Sequence, residues 1–305
     1  MLWLISIIGS GRVGTSIAFL CVSNALDDVL LVNRNEGKAI GESLDVSNAV
    51  PSTSKFFIAG TSDYSKIIGS DIVVITASMG VYLNDRTENM VSQTAMIKEI
   101  AQKIKMYCPS AIVLLISNPL DILTYFFQKE TSFSRFKVFG IASSLDASRF
   151  RYMLSKKFSI PQSSVDGALV LGEHGDSMVP IFSRVKVDGK PVSSLLDDGE
   201  RASVTRALRN YWKDLRRYKS RSQFGIAKNA FDVIDSIVNN RELSVPVSVV
   251  LKGEYGENDV AMGVPVLINS SGISKILDIA LDDSESLLLK KSSQRIRDQI
   301  NSVPT

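Results

Sequence analysis

The chain has 305 residues, 45% hydrophobic and 22% charged, enough apolar content for one large core or two ordinary ones and unlike a disordered chain. Lysine and arginine number 35 against 32 acidic residues, and a net charge of +3 gives no electrostatic footprint for nucleic acid. Cys21 and Cys108 lack metal-ligand spacing and read as core thiols of a reducing, cytoplasmic compartment; no apolar run reaches the ~18 residues that span a bilayer, so neither a metal site nor a membrane anchor is expected.

The first element is the apolar run LWLISII (2–8), which ends on Gly9-x-Gly11-x-x-Gly14 and enters a helical pattern. Glycines at those positions permit a tight turn, close backbone approach to a pyrophosphate, and close packing of helix on strand. Free N–H groups at the helix start then face the phosphates. Gly9, Gly11, Arg12, Val13 and Gly14 are accordingly candidate cofactor-binding residues. VLLVN (29–33) reads as the second strand and ends on Asn33-Arg34, where a dinucleotide site usually carries an acid about 20 residues after the glycines. A carboxylate repels a 2′-phosphate, whereas a neutral amide beside a guanidinium can hold one. Asn33 and Arg34 are read as cofactor-binding, and they favour NADP over NAD.

FFIAG (56–60), DIVVIT (71–76) and AIVLLIS (111–117) are unbroken apolar runs, which suit parallel strands covered on both faces. Between the last two, Ile97, Ile100, Ala101 and Ile104 fall on one helical face, and Pro109 follows as a stop. Strand–helix alternation points to an α/β fold, with a doubly wound parallel (Rossmann) sheet domain over residues 1–143. Asn118 stands at the carboxyl end of a central strand, where ligands of open α/β sheets collect, and its bond to Pro119 is a cis candidate.

After KVFGIAS (137–143) the texture changes, and residues 144–305 are expected to form an α+β substrate/catalytic domain packed on the first as one body. A helix is expected from about Ser144 to Phe158, with Asp146 and Arg149 at i and i+3 on one face. Strand candidates follow at ALVLG and RVKVDGKPV, the latter with an Asp-Gly hairpin signal. A long helical region covers roughly 197–239, then two antiparallel strands, then a closing helix capped by Asp283 or Ser284. His174, the only histidine, lies in VLGEHGDSMVP between two glycines.

GxGxxG, SNPLDILTY, VFG…LDASR, GEHGDSM and LKGEYGENDVAMGVP follow one another in an order and spacing that resembles the lactate/malate dehydrogenase family, its archaeal malate-dehydrogenase-like members above all. The likeness runs over essentially the whole chain. It implies hydride transfer between a nicotinamide cofactor and a small 2-hydroxy/2-oxo acid by a homodimer or homotetramer. By the same resemblance His174 is the proton acceptor and donor, and Asp146 fixes its tautomer. Arg149 forks onto the substrate α-carboxylate, Arg86 on a closing loop polarises the carbonyl, Asn118 bonds near both the nicotinamide and the reacting oxygen, and Ser222 lines the pocket. The chemistry suits these types, because imidazole alone among unperturbed side chains titrates near neutrality and developing oxygen charge needs a cation.

One segment departs from the family. Malate enzymes carry a basic RKPG stretch before the arginine that matches Arg86, and its first arginine pairs with the distal carboxylate of oxaloacetate. Here the chain reads TASMGVYLNDRTEN, with Val81, Tyr82 and Leu83 at the tip and no cation between Thr76 and Arg86. A buried carboxylate without a partner is costly, so another cation must replace the missing one, and Arg221 beside Ser222 is the candidate. Malate/oxaloacetate is the expected pair; the alternative is L-lactate or a branched 2-hydroxy acid. An NAD-dependent glycosidase would need Cys and His metal ligands that this chain does not offer. A nucleotide sensor would have no use for His174, Asp146 and Arg149 together.

Overall fold

In the computed structural model, which describes residues 4–80 and 89–304, the apolar runs of the first half become six strands. They are β1 (Leu4–Ile8), β2 (Asp28–Val32), β3 (Ile58–Thr61), β4 (Ile72–Ile75), β5 (Ile112–Leu115) and β6 (Val138–Gly140). The helices α1 (Arg12–Ser23), α2 (Glu36–Ser47), α3 (Met90–Tyr107), α4 (Leu120–Thr131) and α5 (Ser143–Phe158) accompany them. The strands pair in parallel in the order β3-β2-β1-β4-β5-β6. Winding therefore reverses between β1 and β4, and that reversal opens a crevice at their carboxyl ends. Every residue of β4 and β5 is buried, as unbroken apolar runs require, and α3 buries Ile97, Ile100, Ala101 and Ile104 against the sheet.

The second half contributes the short strands β7 (Val165–Asp166), β8 (Val170–Leu171), β9 (Val179–Pro180), β10 (Lys186–Val187) and β11 (Lys190–Pro191). Helices α6 (Asp198–Arg216) and α7 (Phe224–Val238) follow, then β12 (Leu243–Lys252), β13 (Asn258–Asn269), β14 (Gly272–Ile276) and α8 (Asp283–Asn301). β12, β13 and β14 extend the first sheet antiparallel to nine strands, joined where Ser248 pairs with Gly140. One apolar cluster accordingly runs through both halves, from Ile7 and Leu114 to Ala227, Val247 and Leu289. No helix among the described residues is long and apolar enough to cross a membrane.

Three local expectations change. The helical region at 197–239 is two helices, because the polar segment 217–223 is drawn onto α1 instead of continuing α6. Arg12 Nη1 donates to Ser220 Oγ at 2.6 Å and Gln223 Nε2 donates to Ser16 Oγ at 2.9 Å. ALVLG and RVKVDGKPV supply only two-residue ladders, although Asp188 and Gly189 make the hairpin turn with φ of 46° and 78°. The cap of α8 is Asp282, not Asp283 or Ser284: its side chain accepts from the Glu285 N–H at 2.8 Å while Glu285 accepts from the Asp282 N–H at 3.2 Å.

That reciprocal pair gives a prediction. Asp282→Ala should lower unfolding stability by about 1 kcal/mol in urea, and Asp283→Ala by a few tenths of that. Equal losses in the two variants would show that the cap is not at Asp282.

Candidate active site

The glycine turn leaves β1 with Gly9 at φ 112° and feeds α1, whose first turn takes no side-chain cap. Thr76, at the end of β4, donates its hydroxyl to the Gly9 carbonyl at 2.7 Å and so pins the turn. A Cβ on Gly14 would stand 2.0 Å from the Gly9 oxygen, whereas one on Gly11 would meet nothing within 4 Å. The turn thus packs tightly behind and is open in front, which fits a pyrophosphate laid on the uncapped N–H groups of Arg12 and Val13. In front of it lies a cleft of about 690 Å³, bordered by Gly9, Gly11, Asn33, Arg34, Lys38 and Tyr64.

Asn33 is already engaged: it donates to Ser10 Oγ at 2.9 Å and accepts from the Asn35 N–H at 3.0 Å, tying the second turn to the first. Arg34 and Lys38 bring two cations to that end of the cleft, the second of which the sequence reading did not single out.

A smaller cavity of about 150 Å³ adjoins the cleft, and Thr76, Ser78 and Arg221 border both. His174, Arg149, Asn118 and Ser222 all line it. Two bonds hold one of its walls. His174 Nδ1 lies 2.5 Å from Asp146 Oδ2, and Arg149 Nη1 donates to Asp146 Oδ1 at 3.1 Å. Asp146 is buried in the first turn of α5, so its ionised carboxylate acts as an acceptor for both groups. Nδ1 then carries its proton toward Asp146, which leaves Nε2 as the exchanging nitrogen. The Arg149 guanidinium also stacks 4.9 Å from the centre of the Tyr211 ring. Across the cavity Asn118, in a cis bond to Pro119, keeps its buried Oδ1 without a partner among the described residues. An orphaned acceptor beside a dinucleotide cleft fits an N–H donor supplied by a cofactor.

The structure brings His174, Asp146, Arg149, Asn118, Ser222 and Arg221 together, with the glycine turn, Asn33 and Arg34 lining the adjoining cleft. Arg86, with Val81, Tyr82 and Leu83, lies outside the described residues. Trp212 is a residue the sequence did not mark, and Arg216, in a basic cluster with Arg217 and Lys219 that reads from sequence as a solvated helix end, instead lines the inner cavity beside it with its guanidinium 5.5 Å from the indole centre. Sequence reasoning also passed over Asp121, whose Oδ2 accepts the His174 backbone N–H at 2.7 Å and whose Oδ1 accepts the Ser248 hydroxyl at 2.6 Å. The available signal for Asp121 was an acid set among apolar residues in the first turn of a helix that follows a fully apolar strand.

Comparison with known proteins gives a coherent set of likenesses. Residues 4–140 match the NAD binding domain of lactate/malate dehydrogenases, and residues 143–305 match their alpha/beta C-terminal domain. A malate dehydrogenase of Aeropyrum pernix is 33% identical over 306 residues, covering 99% of this chain and 98% of the relative. A solved malate dehydrogenase structure from Aeropyrum pernix superposes with a TM-score of 0.92 at 32% identity, covering 98% of each chain. A lactate dehydrogenase of Cryptosporidium parvum, solved with lactic acid and nicotinamide adenine dinucleotide, superposes with a TM-score of 0.95 at 33% identity, covering 100% of this chain and 99% of that one.

Burial pushes the Asp121 carboxyl from its ordinary 3.8 up to about 7, outweighing its two hydrogen bonds, and the neighbouring Glu173 and Asp146 add to the rise. Between those two values the folded chain keeps a proton that the unfolded chain has lost. The stabilising contribution of the neutral acid is complete below pH ~4 and disappears as pH rises through about 7. Asparagine cannot ionise. The stability of Asp121→Asn relative to wild type should therefore grow from pH ~4 to ~7, by as much as ~4 kcal/mol, and stay level above that. Urea unfolding across this range checks it, and a difference that does not change with pH would contradict the raised carboxyl.

Proposed function

The chain belongs to the lactate/malate dehydrogenase family, and from that premise we propose that it interconverts malate and oxaloacetate with NADP or NAD. It is an oxidoreductase that transfers hydride between a nicotinamide cofactor and a small 2-hydroxy/2-oxo acid. The observation that carries the reading of the residues is the single Asp146 carboxylate bonded to both His174 and Arg149 on the wall of a cavity that opens into the dinucleotide cleft. We assign the cleft to a domain of residues 1–143 and the catalytic wall to 144–305. The exposed apolar side chains Phe19, Ile40 and Leu44 on α1 and α2 support assembly as a homodimer or homotetramer. The buried free thiols Cys21 and Cys108 suit a reducing, cytoplasmic setting.

A bound nicotinamide supplies the hydride in reduction and takes it back in oxidation. Gly9, Gly11, Gly14 and the N–H groups of Arg12 and Val13 would hold its pyrophosphate, and Asn118 Oδ1 would accept a hydrogen bond at its nicotinamide end. Arg149 binds the substrate α-carboxylate and thereby turns the 2-oxo group toward His174. As C2 gains hydride its oxygen gains negative charge, and the proton on Nε2 of the imidazolium passes to that oxygen. The imidazole is left neutral with Nδ1–H still directed at Asp146. In oxidation the same proton travels back, and Asp146 stabilises the imidazolium that results. Arg86 would polarise the carbonyl, and Ser222 would line the substrate side.

Arg216 and Arg221 border the inner cavity with Arg149, and three guanidinium groups around about 150 Å³ support a substrate with two carboxylates. Arg221 is the group assigned to the distal one. The competing reading, an L-lactate or branched 2-hydroxy acid dehydrogenase, draws on the apolar residues Val81, Tyr82 and Leu83 and on the likeness to the Cryptosporidium lactate enzyme. Arg34 and Lys38 at the far end of the cleft support a 2′-phosphate and hence NADP.

Turnover of oxaloacetate, pyruvate and 2-oxoisocaproate with NADH and with NADPH tests these assignments together. Oxaloacetate should exceed pyruvate in kcat/KM by at least tenfold, and Arg221→Ala should raise the KM for oxaloacetate far more than for pyruvate. Arg34→Ala should reduce kcat/KM for NADPH more than for NADH. Pyruvate or 2-oxoisocaproate as the best substrate would replace the malate assignment. A strong NADH preference that survives Arg34→Ala would remove NADP.

A further inference from the structure

Asp121 takes no part in the proton path above, yet it is buried and both of its oxygens are committed. One accepts the backbone N–H of His174 at 2.7 Å. The other accepts the hydroxyl of Ser248 at 2.6 Å. These partners belong to separate parts of the molecule. Asp121 sits in the first turn of α4, three residues after Asn118, on the dinucleotide side. Ser248 lies on β12 at the register pair with Gly140 that joins the two parts of the sheet. His174 follows β8, whose neighbour Gly172 bridges to Gly263 on β13.

The carboxyl of Asp121 thus stands where the sheet of the first half meets the strands of the second, and it holds the segment that carries the imidazole. The other charged groups around this point are also placed. Asp146 on α5 faces the imidazole and Arg149. Glu173, next in chain to His174, is occupied by Ser177 at 2.5 Å, by Gln299 at 3.2 Å and by Arg295 at 3.3 Å. Of these three acids, Asp121 is the one whose bond to the His174 backbone N–H is seen, at 2.7 Å.

We propose that Asp121 is a positioning residue for proton transfer, acting through the His174 backbone N–H to keep the imidazole aligned with Asp146 and with the dinucleotide side of the cavity. The proposal rests on the reading of His174 as the acid–base group. A purely structural role would loosen the whole seam when the bond is lost, whereas a positioning role changes the ring and the chemical step and leaves cofactor binding alone. Asparagine is a fair replacement, since its Oδ1 can accept from His174 and its amide can donate to the Ser248 hydroxyl.

The chain has one histidine, so its imidazole resonances are read in the full-length protein without assignment. Asp121→Ala should lower kcat at least tenfold, leave the KM for oxaloacetate and the Kd for NADH within twofold, and move the imidazole titration by half a pH unit or more. Asp121→Asn should restore kcat and the ring signal to near wild type, within threefold in rate. Ser248→Ala, which removes the second anchor of Asp121 and so loosens its hold on the His174 N–H, covers the case in which the alanine variant does not fold; it should lower kcat threefold or more with the same change in the ring. Unchanged rate and ring titration in Asp121→Ala and Ser248→Ala would overturn the proposal. So would NADH affinity falling in step with kcat, or Asp121→Asn as impaired as Asp121→Ala. The ring signal is independent of turnover, so a wild-type protein inactive on every 2-oxo acid would fail the functional reading while the tether was still being tested.

Discussion

The pocket depends on one carboxylate serving a permanent cation and an imidazole that can become one. Asp146 offers one oxygen to the imidazole of His174 and the other to the guanidinium of Arg149, and it is buried where water cannot compete for either. A buried carboxylate needs such partners to remain ionised. The partners in turn need the carboxylate: without it the ring could take either tautomer, and the guanidinium would lose its fixed edge. The imidazole and the guanidinium, which we propose as acid–base group and substrate anchor, therefore share one origin in the first turn of α5.

Around that origin the remaining bonds align two halves of a cleft. Thr76 holds the glycine turn, Ser117 donates to the Ala77 carbonyl at 2.5 Å, and Ser220 and Gln223 bind the segment before α7 to α1. That segment carries Arg221 and Ser222, so these two linings of the inner cavity are fixed directly onto the helix that starts at the glycine turn. Continuation of the parallel sheet into β12, β13 and β14 makes this alignment rigid, because a shift of one half would break backbone pairing as well as side-chain contacts.

Much of this was legible in the sequence, for reasons that differ by element. Strands β4 and β5 and helix α3 announced themselves through periodicity, since burial on two faces and burial on one face leave different apolar patterns. Asp146 and Arg149 were readable as neighbours from helical spacing alone, and the glycine turn from its place between strand and helix. The break between α6 and α7 was not readable, because no Gly or Pro marks 217–223; bonds to Arg12 and Ser16, some 200 residues earlier, decide it. Asp121 was hidden for the same reason. Its partners are 53 and 127 residues away, and its one local mark, an acid set among apolar residues at a helix start, names neither of them.

Replacing Asp146 by asparagine examines the shared carboxylate most directly, since the shape stays and the charge goes. With a single histidine in the chain, turnover and ring titration can be read in the same sample. The account predicts that kcat falls on the order of a thousandfold or more, that the imidazole becomes harder to protonate, and that NADH binds as before. A rate within tenfold of wild type, with the ring titrating unchanged, would contradict it.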